Sequence, residues 1–246
     1  MKNIITALVT LVALSTTAYA DIARVEAGFG AWMQSPTTSM KYERKAGLSG
    51  NDVSKDGQEE TQGYVWLLVK HPLPIIPNIR LEYTNISSEG IGSGEFDFFP
   101  SPISGDTKSE LEMTQVDIIP YYNILDNTAW ITLDIGLDFK IVDTTYTIDS
   151  YEEKTSSSFP LLYLRGRFEI PATNVGVESD LKYIKYGDTE VVDFRAKLDY
   201  TFEFVPVVQP AVEIGYRMEK LYEVSDEKLK SDFEFSGVYV GAMVRF

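Results

Sequence analysis

Apolar and polar residues alternate along most of this chain with a period of two. The clearest segment is 129–141, where every odd-numbered position is apolar and most even-numbered positions are polar or charged. Segment 192–204 alternates in the same way, and Asp193, Arg195 and Lys197 share one face. A strand places successive side chains on opposite faces, whereas a helix would spread these charges around its circumference. The pattern therefore predicts β-strands with one apolar and one charged face.

We interpret the whole pattern as ten strands, with eight or twelve as the alternatives. The predicted strands are residues 22–33, 61–70, 79–88, 108–122, 129–143, 157–170, 175–187, 189–204, 209–224 and 232–246. Strand 61–70 is apolar on both faces, so the pattern does not decide which of them points inward. Strand 108–122 changes phase near residues 114–117, which predicts a β-bulge there and places Glu112 on the charged face. The fold class predicted is all-β: an antiparallel, up-and-down transmembrane β-barrel.

The connections between these strands alternate in length, which predicts the orientation of the barrel. The segments 34–60, 89–107 and 144–156 are long and polar, whereas 71–78 and 171–174 are short. Outer-membrane barrels have short periplasmic turns and longer external loops. An even number of strands puts both termini beside the short turns, so we expect periplasmic termini.

Both ends of the chain agree with export to the bacterial outer membrane. Lys2 precedes an apolar run, and Ala18-Tyr19-Ala20 forms a small-x-small cleavage site, as in a secretory signal peptide. We assign residues 1–20 to a cleaved signal peptide and residues 21–246 to one barrel domain. The last strand alternates up to Phe246, which we interpret as part of the signal for the outer-membrane assembly machinery.

Composition excludes several other classes of protein. Without Lys2 the chain has 21 basic and 37 acidic residues, a net charge of −16, which argues against a nucleic-acid partner. There is no cysteine, so neither a disulfide framework nor a lipoprotein anchor is expected. After the signal peptide, no apolar run reaches the roughly 18 residues of a transmembrane helix.

The mature chain resembles a family of small, single-domain outer-membrane β-barrel proteins from proteobacteria. The resemblance is carried by residues 64–74 (YVWLLVKHPLP), 117–127 (DIIPYYNILDN), 214–217 (IGYR) and 237–239 (GVY). It implies the barrel and the membrane. It brings no catalytic or binding residue to this chain.

The richest candidate site is the charged face of the strands, which the fold would turn into the lumen. Ten basic and thirteen acidic side chains fall on that face. Because unpaired buried charge is costly, the near balance predicts a paired network that fills a narrow lumen. The residues that we assign to this network are Arg80, Glu82, Asp134, Asp138, Arg165, Arg167, Glu169, Asp180, Lys182, Asp193, Arg195, Lys197, Glu213 and Arg217.

The function that these features favour is a structural or weakly transporting outer-membrane protein. The alternatives are a narrow solute channel and an outer-membrane hydrolase that uses luminal or rim carboxylates. We expect no enzymatic activity, cofactor or metal, because His71 is the single histidine and lies in a predicted turn without a neighbouring catalytic motif. The partners expected are outer-membrane lipids, lipopolysaccharide and the assembly machinery, and a monomer is favoured.

Overall fold

The computed structural model describes residues 23–43, 49–54, 60–96, 103–104, 107–149, 151–203, 208–226 and 229–246. The predicted signal peptide, residues 1–20, lies outside these residues. Within the described part of the chain, no helix is long and apolar enough to cross a membrane.

Twelve strands make up the described structure, and ten of them form the wall of a barrel. The ten are β1 (Arg24–Glu43), β3 (Glu60–Lys70), β4 (Asn78–Phe96), β6 (Thr107–Thr128), β7 (Ile131–Ile148), β8 (Tyr151–Glu169), β9 (Val175–Tyr186), β10 (Thr189–Thr201), β11 (Gln209–Asp226) and β12 (Leu229–Arg245). The two short strands are β2 (Ser49–Ser54) and β5 (Ile103–Ser104). They pair with the far ends of β1 and β4, opposite the chain termini.

The sheet closes on itself because the last strand pairs with the first. Successive wall strands pair antiparallel, and β12 pairs with β1 from Glu26 opposite Arg245 to Tyr42 opposite Leu229. Val25 and Phe246 exchange two backbone hydrogen bonds at the end of this seam, of 2.8 and 3.2 Å. The predicted ten-stranded, up-and-down barrel is confirmed. Each of the ten wall strands therefore pairs with a neighbour on either side, as the closed sheet of a transmembrane barrel requires.

The alternation of the sequence separates the two faces of the wall. Along β7 the outward-facing Leu133, Leu137 and Phe139 are 39–49% exposed, whereas the inward-facing Asp138 and Lys140 are fully buried. The same division holds in β10, where the charged positions face inward. In β7 and β10 the charged face therefore lines the interior of the barrel, and the apolar face forms its outer surface.

In β3 both faces are apolar, and the structure decides which one points inward. Tyr64, Trp66 and Leu68 are buried in the barrel, whereas Val65 lies on the outer face with 49% exposure. The register with β1 places Gly28 opposite Trp66 and Gly30 opposite Tyr64. A Cβ on either glycine would come within 2.5 Å of the facing aromatic side chain. The glycines of β1 thus make room for two large rings in the lumen.

The bulge predicted near residues 114–117 is wrong. The register between β6 and β7 is continuous from Ser109 to Tyr121, and its irregularities lie between Asn123 and Thr128. Met113 and Gln115 both face inward, so the strand keeps one phase through this segment. As a result Asp117 joins the buried charges, and Glu112 lies exposed on the outer surface.

All three of the long predicted external loops are strand over most of their described residues, since β1 continues to Glu43 and β2 lies within segment 34–60. Strand β4 continues to Phe96, and the β7–β8 hairpin continues until Ile148 pairs with Tyr151. Polar residues predominate in these segments, so the apolar alternation that marks the other strands is weak here. Backbone pairing still extends the hairpins, because each residue added to a ladder satisfies its own hydrogen-bonding groups. The barrel wall is accordingly longer than the 9–11 residues that a strand needs to cross a bilayer.

Candidate functional site: the interior of the barrel

The structure buries thirteen of the fourteen residues assigned to the luminal network. Each comes from the inward-facing positions of its strand, and the strands involved run from β4 to β11. Glu169 differs, because it sits at the last residue of β8 with 42% of its side chain exposed, in an ion pair with Arg167 at 3.0 Å. The thirteen buried residues are Arg80, Glu82, Asp134, Asp138, Arg165, Arg167, Asp180, Lys182, Asp193, Arg195, Lys197, Glu213 and Arg217.

Near the end with the chain termini, two arginines bind carboxylates from neighbouring strands. Arg165 donates to Asp134 from Nη1 and to Glu178 from Nη2, both at 2.6 Å. Arg167 binds both carboxylate oxygens of Asp199 through its two terminal nitrogens. Planar guanidinium groups suit such bridging and bidentate contacts. The two arginines therefore join the inner faces of β7, β8, β9 and β10.

Two lysines occupy the middle of the lumen, where several carboxylates surround each ammonium. Lys140 Nζ lies 3.0 Å from Asp117, 3.1 Å from Glu219 and 3.4 Å from Asp193. Lys182 Nζ is 3.0 Å from Asp117 and also contacts Glu82 at 2.7 Å. Asp117 is thus shared by both lysines, although sequence reasoning had missed it.

Arginines then connect the middle of the network to the opposite wall. Arg195 binds Glu82 at 2.5 Å and Asp180 at 2.8 Å. Arg217 binds Asp193 at 2.8 Å and donates to the Thr84 hydroxyl at 3.0 Å. The contacts with Glu82 and Thr84 join residues more than a hundred positions apart in sequence. The network therefore crosses the lumen and ties opposite strands together.

Aromatic rings line one side of the lumen, which the sequence analysis did not predict. Trp66 lies between two cations, with Arg80 Cζ 5.0 Å and Lys197 Nζ 4.9 Å from its ring centroid. Trp32 faces Arg217 at 4.7 Å. Cations stack favourably on indole rings, more so away from water. The sequence feature that could have revealed these inward-facing rings is the pair of glycines in β1, which lie opposite two aromatic residues of β3.

The interior changes character toward the end that carries the longer hairpins. Most inward positions there are apolar, and aliphatic and aromatic side chains pack together in place of ion pairs. The buried residues of this apolar section are Ile86, Leu111, Met113, Val142, Leu161, Val191, Leu221, Phe233 and Phe235. The lumen is therefore filled by two different means, ionic at one end and apolar at the other.

One cavity lies between the aromatic rings and the charges of this network. The cavity between Trp32, Trp66, Arg80, Glu213 and Tyr239 encloses about 20 Å³, which is enough for about one water molecule. Within the described residues, the buried interior holds nine basic and eleven acidic side chains. Such a balance lets nearly every charge find an opposite partner.

His71 has a clear structural position in the turn between β3 and β4. Its Nδ1 accepts the backbone N–H of Leu73 at 3.1 Å, and its Nε2 lies 3.0 Å from the carbonyl oxygen of Pro77. The ring thereby bridges the two sides of the turn. Among the described residues, no group of three or more histidine, cysteine or carboxylate side chains is placed to hold a metal ion.

Among the solved structures that this chain resembles are three outer-membrane proteins of low sequence identity. The outer-membrane protein OprG from Pseudomonas aeruginosa is 11% identical, with 91% of this chain and 95% of that chain covered and a TM-score of 0.42. The translocator domain of the autotransporter NalP from Neisseria meningitidis is 11% identical, with coverage of 100% and 96% and a TM-score of 0.41. The attachment invasion locus protein Ail of Yersinia pestis is 9% identical, with coverage of 91% and 99% and a TM-score of 0.37. No protein-family model and no curated protein matches the chain.

Proposed function

We propose that this protein is an integral protein of the bacterial outer membrane whose barrel is closed by its own side chains. Its role in this proposal is structural, with at most weak transport of small solutes. The observation that carries the proposal is the packing of the interior, with an ionic network at one end and an apolar section at the other.

The outer surface supports insertion in a membrane. Large apolar side chains such as Phe29, Leu137, Leu198 and Ile214 are 49–64% exposed on the outside of the barrel. In water such a continuous apolar surface would be costly, whereas lipid chains cover it favourably. A soluble barrel that carries a lipid inside would show the opposite arrangement, with apolar residues inward and charges outward.

The environment of the luminal carboxylates supports a role other than catalysis. Asp134, Glu178, Asp199 and Glu213 each bind a cation directly. A carboxylate held in this way serves as an electrostatic partner and is not free to activate water or protonate a leaving group. We accordingly propose that the protein is not an enzyme and that a hydrolase role for these acids is disfavoured.

Recording in planar lipid bilayers tests the closed lumen. Purified protein should give no steady conductance of porin size, because buried charged and apolar side chains pack inside the barrel. The double variant Phe233→Ala/Phe235→Ala removes two buried rings from the apolar section and should produce small or flickering currents. A matched double alanine change at the exposed Val238 and Val240 should leave the barrel silent. Steady, porin-sized conductance from the unaltered protein would instead favour the solute-channel alternative.

Localisation is tested by cell fractionation. We expect the protein in the outer-membrane fraction, in a form whose gel mobility changes on heating, as folded barrels show. Recovery in the soluble periplasmic fraction would refute the proposed membrane location.

A further inference from the structure

Two turns at the end of the barrel with the chain termini are joined into one unit. They are the turn between β3 and β4, residues 71–77, and the segment 123–130, which comprises the irregular end of β6 and the turn to β7. Asn78 Nδ2 donates to Asn123 Oδ1 at 2.9 Å. The Tyr122 hydroxyl donates to the backbone carbonyl of Ile75, also at 2.9 Å. The two turns therefore hold each other in place.

This unit displays an unusual amount of apolar surface. Five large aliphatic side chains on it are 36–87% exposed, and Ile75 is the most exposed of them. We call these residues the apolar foot: Leu73, Ile75, Ile76, Ile124 and Leu125. A contiguous exposed apolar patch of this kind marks a surface that a partner molecule or a membrane covers in the functioning protein.

The foot is also rigid. Pro72, Pro74 and Pro77 fix three backbone dihedral angles in seven residues. The His71 ring then bridges the turn through Leu73 N–H and the Pro77 carbonyl. A surface that is ordered in advance loses less conformational entropy when it is covered.

Charge is nearly absent from this surface. Residues 71–78 (HPLPIIPN) contain no acidic residue, lysine or arginine. In the neighbouring segment the single charged residue is Asp126, and it forms an ion pair with Lys70. A protein partner would meet few specific polar contacts here, whereas lipid chains require none.

The foot also continues the lipid-facing surface of the barrel without interruption. Ile79 and Leu81 follow the first turn on the outer face of β4, and Ile118 is paired beside Leu81 on β6. All three are 39–42% exposed. The apolar surface thus runs from the barrel wall directly onto Ile76 and Ile75.

We propose that the apolar foot inserts among the acyl chains of the phospholipid leaflet on the side of the chain termini. The inserted foot anchors that end of the barrel and fixes its depth in the bilayer. This inference rests on the proposed membrane insertion, and it goes further by assigning the turns to lipid instead of water or a protein partner.

Site-directed spin labelling tests the foot, and the absence of cysteine from the chain makes single-cysteine variants straightforward. Three variants are reconstituted in phosphatidylcholine vesicles and labelled with a nitroxide: Ile75→Cys in the foot, Leu198→Cys on the barrel wall, and Ala172→Cys in the exposed β8–β9 turn outside the foot. Each label is tested for collision with oxygen, which concentrates in lipid, and with a water-soluble nickel chelate.

We expect the Ile75→Cys label to behave like the Leu198→Cys label, accessible to oxygen and protected from nickel, with the Ala172→Cys label accessible to nickel. An Ile75→Cys label as accessible to nickel as Ala172→Cys, beside a protected Leu198→Cys label, would overturn the foot alone. Nickel access at Leu198→Cys as well would overturn membrane insertion itself, so the two failures are distinguishable.

A second measurement follows insertion directly. Ile75→Asp should reduce the yield of folded barrel in vesicles relative to Ile75→Leu, because a carboxylate would have to be inserted among the acyl chains at a cost in free energy. Both variants should fold equally well in detergent micelles, which adapt to the turn. Equal yields of the two variants in vesicles would contradict insertion of the foot.

Discussion

Neutralising Arg165 should destabilise the barrel strongly, because this side chain holds two buried carboxylates. Its terminal nitrogens lie 2.6 Å from Asp134 and 2.6 Å from Glu178. Arg165→Met keeps a long flexible side chain but removes both charge-assisted hydrogen bonds. Removing one partner of a buried ion pair costs about 3–5 kcal/mol, since the remaining charge is left uncompensated.

The surroundings of the two carboxylates place the expected cost at the lower end of that range. Glu178 would keep Arg167 and Lys197, each at 3.4 Å. Asp134 would keep only the neutral amide of Asn123, at 2.5 Å. We therefore expect a loss of about 3 kcal/mol, which shifts the folding equilibrium by roughly a hundredfold.

Urea titration of barrels in lipid vesicles, followed by the heat-dependent gel shift, measures this loss. The control is Lys185→Met, which breaks the exposed 2.9 Å pair with Glu190 and should change stability little, because water screens an exposed pair. Adding Asp134→Asn to Arg165→Met should recover part of the stability, because it removes the charge that lost its partner. The reasoning is refuted if Arg165→Met is no more destabilising than Lys185→Met.

Three further predictions concern assembly, packing and orientation. Deleting Phe246 should lower the folded fraction in outer-membrane preparations, because it removes two hydrogen bonds of the closing seam together with the proposed assembly signal; an unchanged folded fraction would contradict this. Gly136→Val should impair folding, since a Cβ there lies 2.4 Å from a backbone oxygen, whereas Gly63→Ala, with open space around its Cβ, should be tolerated; urea midpoints of the two variants provide the check. A cysteine placed at Ser54 should react with an impermeant maleimide on intact cells, and reaction only after outer-membrane disruption would invert the predicted orientation.

The sequence by itself determined the architecture and the division of the wall into two faces. Side chains in a strand alternate with a period of two, so segments such as 129–141 disclose both the strand and its charged face. The ten-stranded closed barrel followed from counting such segments. The charged face could also be assigned to the lumen, because lipid tolerates only the apolar face.

The same reasoning failed where the local pattern was ambiguous. Gln115 interrupts the apolar face of its strand, and a bulge was inferred where the strand is in fact regular. Asp117 was missed as a consequence. Residues 144–148 are mostly polar and were therefore interpreted as loop. The strand continues through them all the same, because backbone hydrogen bonds pair strands without any apolar alternation.

Only the tertiary structure decided which charges meet. Glu82 pairs with Lys182 and Arg195 across 100 and 113 positions of sequence, and Arg245 reaches Glu26 across 219. A period of two fixes whether a side chain points in or out, but not its height along the barrel. That height depends on the register of every neighbouring pair of strands around the closed sheet, so the contacts across the lumen are a property of closure itself.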